Sequence, residues 1–197
     1  MVHQRQLGFY LPTKRLSRVM QELYRVCRPG GQIHLVEMGI HWDPVGPNVA
    51  ELQRLLRSGL STASIDPAAV EQLEPRLRQA GFVDIEAKQT AVPIGTWGGL
   101  VGRTLADATR HMAESARPAL VRNCKLRGHD VDRIVHDALA EMETNQCSAV
   151  FYFYQARKPI SGTSQLSTVT SPAASSSSHF RWSLASFGRN SGFNAEY

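Results

Sequence analysis

Residues 16–38 have the sequence LSRVMQELYRVCRPGGQIHLVEM. Apolar residues recur through its first half at the i, i+3, i+4, i+7 spacing of an amphipathic helix, namely Leu16, Val19, Met20, Leu23 and Val26. Pro29-Gly30-Gly31 cannot continue a helix, and a short, largely apolar run at residues 33–38 follows it. The stretch therefore predicts a helix, a tight turn and a buried strand.

Similar alternation extends along the rest of the chain. A helical face at residues 52–60 precedes a second one at 66–81, which Pro75 is expected to kink or restart. Residues 82–94 alternate as a half-buried strand, two helical stretches follow Gly99 and Asp130, and residues 149–154 form an aromatic strand. Strands separated by helices predict a layered α/β domain.

Composition narrows the class of protein. Hydrophobic residues make up 42% of the 197 residues and charged residues 20%, the balance of a soluble globular protein. The sequence has no apolar run long enough for a membrane span and no secretory leader at its polar start. Despite a net charge of +5, the arginines are interspersed with acids, so neither a nucleic acid nor a membrane is expected as a partner.

Two further observations concern metals and the last residues. The three cysteines and the histidines lack the spacing of metal ligands, so no metal site is predicted. From Ile160 to Tyr197 the chain is rich in serine, with Ser175 to Ser178 in a row. Such a segment buries too little surface to offset chain entropy, and we expect it to be disordered.

Several motifs resemble one family. Residues 19–31, VMQELYRVCRPGG, and the strand after them resemble the helix, turn and fifth strand of class I S-adenosylmethionine-dependent methyltransferases. Residues 77–85, LRQAGFVDI, and 92–97, VPIGTW, resemble the sixth strand of fungal secondary-metabolite methyltransferases and related regulators. Residues 151–159, FYFYQARKP, resemble the seventh strand, and residues 2–5, VHQR, the end of the fourth.

The resemblance implies a fold and an activity. Residues 1–159 would form the C-terminal part of a Rossmann-like sheet, from the end of the fourth strand to the seventh, with a helical insertion. The part of the family that precedes it would be missing, as in an N-terminally truncated gene model. The implied reaction moves a methyl group from S-adenosyl-L-methionine to O, N or C of a small natural product, in the cytoplasm or, for a regulator, the nucleus.

The same resemblance places candidate site residues. His3, Gln4 and Arg5 would lie in the loop beside cofactor and acceptor, with His3 as a general base. Glu37 would end the fifth strand on the same rim, as a substrate contact or a solvated acid, and Trp97 would line an acceptor pocket or pack the insertion. The glycines at 95–102 lack the strand and acid of a cofactor loop.

A second hypothesis remains open beside the enzyme. The chain is then an inactive methyltransferase-like remnant or a regulatory protein. An exposed sheet edge, left without its neighbouring strands, is expected to bind a protein partner.

Overall fold

The computed structural model describes residues 1–160, which form a mixed α/β domain and confirm the predicted class. The predicted serine-rich tail lies, apart from Ile160, outside the described residues. The four strands are β1 (Val2–Arg5), β2 (Gln32–Asp43), β3 (Val83–Pro93) and β4 (Ser148–Arg157). The five helices are α1 (Leu16–Val26), α2 (Pro47–Thr62), α3 (Glu74–Gln79), α4 (Gly99–Cys124) and α5 (Gly128–Thr144), and 3-10 helices span Thr13–Arg15, Pro67–Gln72 and Thr96–Gly98.

The strands form one sheet in the order β1-β2-β4-β3. β1 is parallel to β2, with Val2 opposite Ile33 and Arg5 opposite Val36. β4 is antiparallel to both of its neighbours, so β1, β2 and β3 all run in the same direction. The carboxyl ends of these three strands therefore point the same way, and β1 is an edge strand within the described residues.

The motif at residues 16–38 folds as predicted. Leu16 and Met20 are buried on α1, which ends at Val26, and Gly30 adopts the left-handed conformation of a tight turn with φ of 71°. The ammonium group of Lys158 donates hydrogen bonds of 2.7 and 2.8 Å to the carbonyl oxygens of Tyr24 and Cys27. A cation there satisfies the carbonyls that a helix leaves unpaired at its C-terminus.

The sheet carries a separate apolar core on each face. On one face, Ile33 and Leu35 of β2 pack with α1 and α3. On the other, Met38, Ile40 and Trp42 pack with α2, α4 and α5. Alternate residues of a strand point to opposite faces, so the single strand β2 supplies both cores.

One boundary differs from the prediction and another agrees with it. β2 continues to Asp43, beyond residue 38, because its second half pairs with β4 at Trp42 and Asp43. The helical stretch at 66–81 divides into the 3-10 helix Pro67–Gln72 and α3, with Pro75 in the first turn of α3. Proline fits the first turn of a helix because it has no N–H that would need an intrahelical acceptor. A new helix begins at the turn that contains Pro75, as predicted. None of the helices in residues 1–160 combines the length and apolarity needed to cross a membrane.

Candidate functional site

The candidate site is built where β1 ends beside β2. Residues 6–10, which we name the post-β1 loop, turn sharply because Gln6 adopts a φ of 55° and its N–H donates to the carbonyl oxygen of Val36 at 2.8 Å. The loop closes on itself through a 3.0 Å hydrogen bond from the Tyr10 N–H to the Leu7 carbonyl oxygen. Ligands of open α/β sheets bind beyond the carboxyl ends of parallel strands, which is where this loop lies.

Glu37 does not occupy the position predicted for it. It was expected at the solvated end of its strand, but it lies in the middle of β2 and is only 1% exposed. Its Oε1 accepts hydrogen bonds from Gln4 Nε2 at 2.7 Å and the Leu7 N–H at 3.0 Å, and its Oε2 accepts from the Gly8 N–H at 3.0 Å. Because both carboxylate oxygens are engaged by the chain, Glu37 is a poor substrate contact.

A buried polar cluster surrounds this carboxylate. Burial raises the pKa of the Glu37 carboxyl, and the hydrogen bonds from Gly8, Leu7 and Gln4 offset part of the shift. Burial also raises the pKa of Tyr154 to about 12, with smaller contributions from other groups that include the charge of Glu37. Tyr154 remains a neutral donor, and its hydroxyl donates to the Val70 carbonyl oxygen at 2.8 Å.

His3 and Arg5 lie on the opposite face of β1 from Gln4, because side chains alternate along a strand. Both are exposed, and His3 lies opposite His34 of β2. Burial, together with the neighbouring His3 and the amino terminus, lowers the pKa of His34, so its imidazole is neutral at pH 7. The three candidate site residues of β1 therefore have different surroundings. Gln4 is hydrogen-bonded to Glu37, whereas His3 and Arg5 face solvent.

Trp97 lies far from these residues. It follows β3, and the last residue of β3, Pro93, pairs with Ser148 of β4. Arg5 pairs with Val36 of β2, which in turn pairs with Phe153 of β4. Five residues of β4 separate the two levels, or about 17 Å at about 3.4 Å per residue. Trp97 is 39% exposed and its indole N–H donates to the Ile94 carbonyl oxygen at 3.1 Å. The structure does not join Trp97 to the site at β1.

The turn that carries Trp97 is anchored by α5. The Glu143 carboxylate accepts hydrogen bonds from the Thr96 N–H at 2.6 Å and from the Thr96 hydroxyl. These hydrogen bonds from Thr96 lower the pKa of Glu143 against a smaller effect of burial. The carboxylate thus takes the place of a cap on the 3-10 helix Thr96–Gly98, which has no side-chain cap of its own.

Replacement of Glu143 by glutamine is expected to lower the urea midpoint at pH 7, because a charged acceptor is lost. A carboxyl whose pKa is lower in the folded state stabilises the fold above its unfolded pKa, and that contribution disappears as the pH falls through the folded pKa. The difference from wild type should therefore shrink below about pH 4.3. Urea titrations followed by circular dichroism measure it, with Glu86→Gln, an exposed glutamate on β3, as control. A difference of constant size down to pH 3 would contradict the assignment.

Three glycines of the glycine-rich segment at residues 95–102 are packed closely against the chain itself. A Cβ on Gly98 would lie 2.2 Å from Pro93 Cβ, and one on Gly102 would lie 2.2 Å from the Gly95 carbonyl oxygen. A Cβ on Gly95 would meet the Glu143 carboxylate. The space beside these three glycines is filled by the chain itself, so they permit close internal packing.

Several members of the site escaped the sequence analysis. The Leu7 and Gly8 amides, Val70 and Tyr154 belong to three separate segments, and only the fold brings them together around Glu37. The 29 to 33 residues between Glu37 and its donors follow no recognisable spacing. An acidic residue inside an otherwise apolar strand was the one available signal.

A groove on the helical side of the domain lies apart from the post-β1 loop. This groove of about 450 Å³ runs between α4 and α5, where Arg110, Arg117 and Asp132 border apolar residues. Residues 1–160 contain no group of three or more histidine, cysteine, aspartate or glutamate side chains placed to hold a metal ion.

The sequence matches no protein-family model and no curated protein. Among solved structures, the chain is similar over 80% of its length to phosphoethanolamine N-methyltransferase 2 of Haemonchus contortus, in complex with phosphomonomethylethanolamine and S-adenosylhomocysteine, at 16% identity and a TM-score of 0.40. It is also similar over 79% of its length to the cyclopropane synthase MmaA2 of Mycobacterium tuberculosis, at 10% identity and a TM-score of 0.42. The [4+2]-cyclase SpnF matches 80% of the chain at 19% identity and a TM-score of 0.36.

The chain spans 33%, 55% and 50% of the length of these three proteins, respectively. With TM-scores below 0.5, the likenesses assign neither an activity nor a substrate to it.

Proposed function

We propose that this chain is part of a class I methyltransferase that transfers a methyl group from S-adenosyl-L-methionine to a small natural product. The observation that carries the proposal is the unit β1–α1–β2. Two adjacent parallel strands are joined by a helix and the Arg28-Pro29-Gly30-Gly31 turn, within the segment that resembles the family. Residues 1–159 would then represent the family's sheet from the end of its fourth strand to its seventh strand, of the type found in fungal secondary metabolism.

The described residues fit one side of such a site. The carboxyl end of β1 and the post-β1 loop provide a rim with exposed cationic and imidazole side chains, Arg5 and His3. In the glycine-rich segment, in contrast, the space beside Gly95, Gly98 and Gly102 is filled by the chain itself and does not fit the methionyl part of the cofactor. No chemical step through the cofactor is therefore derived from these residues.

Within this proposal, the residues of the chain act by orientation. Transfer of a methyl group requires that donor and acceptor be held close and in line. Correct placement alone can remove a large part of the activation barrier. Arg5 would bind an anionic group of the cofactor or acceptor, and His3 would accept a proton from the acceptor. Both are free to approach a ligand because neither is buried.

One observation favours the alternative of a non-enzymatic protein. β1 has β2 on one side only, and no strand of residues 1–160 covers its other edge. Open edges present unpaired backbone groups that can pair with another chain. In this alternative the chain binds a protein partner along β1 and does not bind S-adenosyl-L-methionine.

Isothermal titration calorimetry of the full 197-residue chain with S-adenosyl-L-methionine separates the two hypotheses. The enzyme proposal expects saturable binding that weakens in Arg5→Gln and is unchanged in Arg103→Gln, an exposed arginine on α4. Transfer of label from methyl-labelled cofactor to a panel of small phenols and amines would then identify the acceptor. An absence of binding at millimolar cofactor would rule out a stand-alone enzyme and favour the partner-binding alternative.

A further inference from the structure

The buried carboxylate of Glu37 joins two segments that are distant in sequence. All three of its hydrogen-bond donors, the Gln4 side chain and the Leu7 and Gly8 amides, belong to β1 and the post-β1 loop. Glu37 itself lies on β2, two residues after Leu35 of the smaller core, and is 1% exposed. The carboxylate thus fixes the loop at two consecutive amides and the preceding strand at one side chain.

The loop has little freedom to move around this anchor. A Cβ on Gly8 would lie 2.1 Å from Val70 Cγ1 and 3.2 Å from Glu37 Oε2, so its backbone is packed between the 3-10 helix Pro67–Gln72 and the carboxylate. Gln6 holds a left-handed conformation that a side chain rarely adopts. Such a conformation persists when surrounding contacts determine it. These contacts include the hydrogen bond from the Gln6 N–H to the Val36 carbonyl oxygen and those from the adjacent Leu7 and Gly8 amides to Glu37.

The carboxylate is balanced by dipoles and not by a cation. No ion pair involves Glu37 among the ion pairs of residues 1–160. The titratable groups that interact with this cluster are Tyr152 and Tyr154 of β4 and Glu71 of the 3-10 helix, none of which carries a positive charge. Lys158, a cation on the same side of the sheet, is engaged by the carbonyl oxygens of Tyr24 and Cys27 at the end of α1. The N–H groups of the loop therefore depend on the ionised form of Glu37, since a neutral carboxyl accepts hydrogen bonds more weakly.

We propose that Glu37 is a positioning residue that holds the post-β1 loop in its binding geometry, and that protonation of Glu37 releases the loop. The part of this inference that concerns ligand binding rests on the proposed function, because the loop borders the rim to which we assign cofactor and acceptor. The structural part concerns the chain alone. Glu37 acts through the Leu7 and Gly8 amides and does not touch the ligand.

The structural part is tested by ¹H–¹⁵N correlation spectra of the full chain between pH 7.5 and 4. The Leu7 and Gly8 amide resonances are expected to shift together, with a midpoint above the ordinary value of about 4.3 for glutamate. In Glu37→Gln, which keeps one acceptor oxygen but cannot ionise, the titration should vanish. Glu86→Gln removes an exposed carboxylate of β3 and should leave it intact.

The functional part is tested by calorimetry at pH 7.5. The dissociation constant of S-adenosyl-L-methionine should rise at least about tenfold in Glu37→Gln, because small displacements of a binding loop have large effects, and stay constant in Glu86→Gln. If wild-type Leu7 and Gly8 amides do not titrate, or titrate equally in Glu37→Gln, the inference is overturned. If no variant binds the cofactor while the amide titration behaves as expected, the proposed function fails and the role of Glu37 in the loop stands. Because the wild-type titration needs no variant, poor folding of Glu37→Gln does not remove the test.

Discussion

Replacement of Trp42 by alanine is expected to lower the free energy of unfolding by about 3–5 kcal/mol, the usual cost of removing a large aromatic side chain from a core. Trp42 is 0% exposed and lies in the larger core, between β2 and helices α2, α4 and α5. A domain has a typical stability of about 5–15 kcal/mol, so the variant would retain little of it. Urea unfolding followed by circular dichroism measures the change.

Trp42→Phe is the matched control. Within residues 1–160 the indole N–H of Trp42 has no hydrogen-bond acceptor, although it is fully buried. Phenylalanine keeps most of the apolar contact and removes the unpaired donor, so it should cost much less than alanine. Equal losses for the two variants would show that the N–H is paired in solution and that packing is not the main contribution of Trp42.

Replacement of Gly102 by alanine is expected to destabilise the domain by about 1–3 kcal/mol, the range for overpacking. The new Cβ would lie 2.2 Å from the Gly95 carbonyl oxygen, and backbone atoms cannot rotate away as a side chain can. Gly95 has a φ of 130° and donates a 3.0 Å hydrogen bond to the Gly102 carbonyl oxygen, so the segment has few alternative conformations. Thermal unfolding should show a lower Tm.

Gly59→Ala is the control for Gly102→Ala, because its expected change in stability has the opposite sign. Gly59 lies inside α2, and a Cβ there would be 3.2 Å from Leu120 Cδ2, the end of a flexible side chain. Alanine in a helix interior is favoured over glycine by about 0.5–1 kcal/mol, so this variant should be neutral or more stable. A similar loss of Tm in both variants would mean that the effect comes from the helices in general and not from the contact with Gly95.

The elements that periodicity predicted are those whose pattern is local. The helix at Leu16 to Val26, the Pro29-Gly30-Gly31 turn and the half-buried strand ending near Pro93 were all correct, because neighbouring residues determine the apolar face of a helix or strand. The predicted end of the second strand at residue 38 was wrong, because pairing with β4 extends β2 to Asp43. Strand length depends on a partner more than 100 residues away.

The candidate site was predicted less completely for the same reason. Sequence resemblance drew attention to Gln4 and Glu37 separately, and the fold joined them through a 2.7 Å hydrogen bond. The fold also placed His3 and Arg5 on the other face of β1, and it placed Trp97 near the opposite end of β4 from the residues that pair at the level of Arg5. Register between strands decides which side chains meet, and no local pattern of residues determines register by itself.

The amino-acid sequence alone determined the class of the domain, the order of its elements and the turn that leads into β2, since propensity and apolar spacing act over a few residues. Only the tertiary structure decided that Glu37 is buried and that its carboxylate holds the Leu7 and Gly8 amides. It also decided that the glycines near residue 95 serve packing. Both depend on contacts that exist only in the folded chain, because Glu37 meets a loop about 30 residues away and Gly95 meets Glu143 of α5.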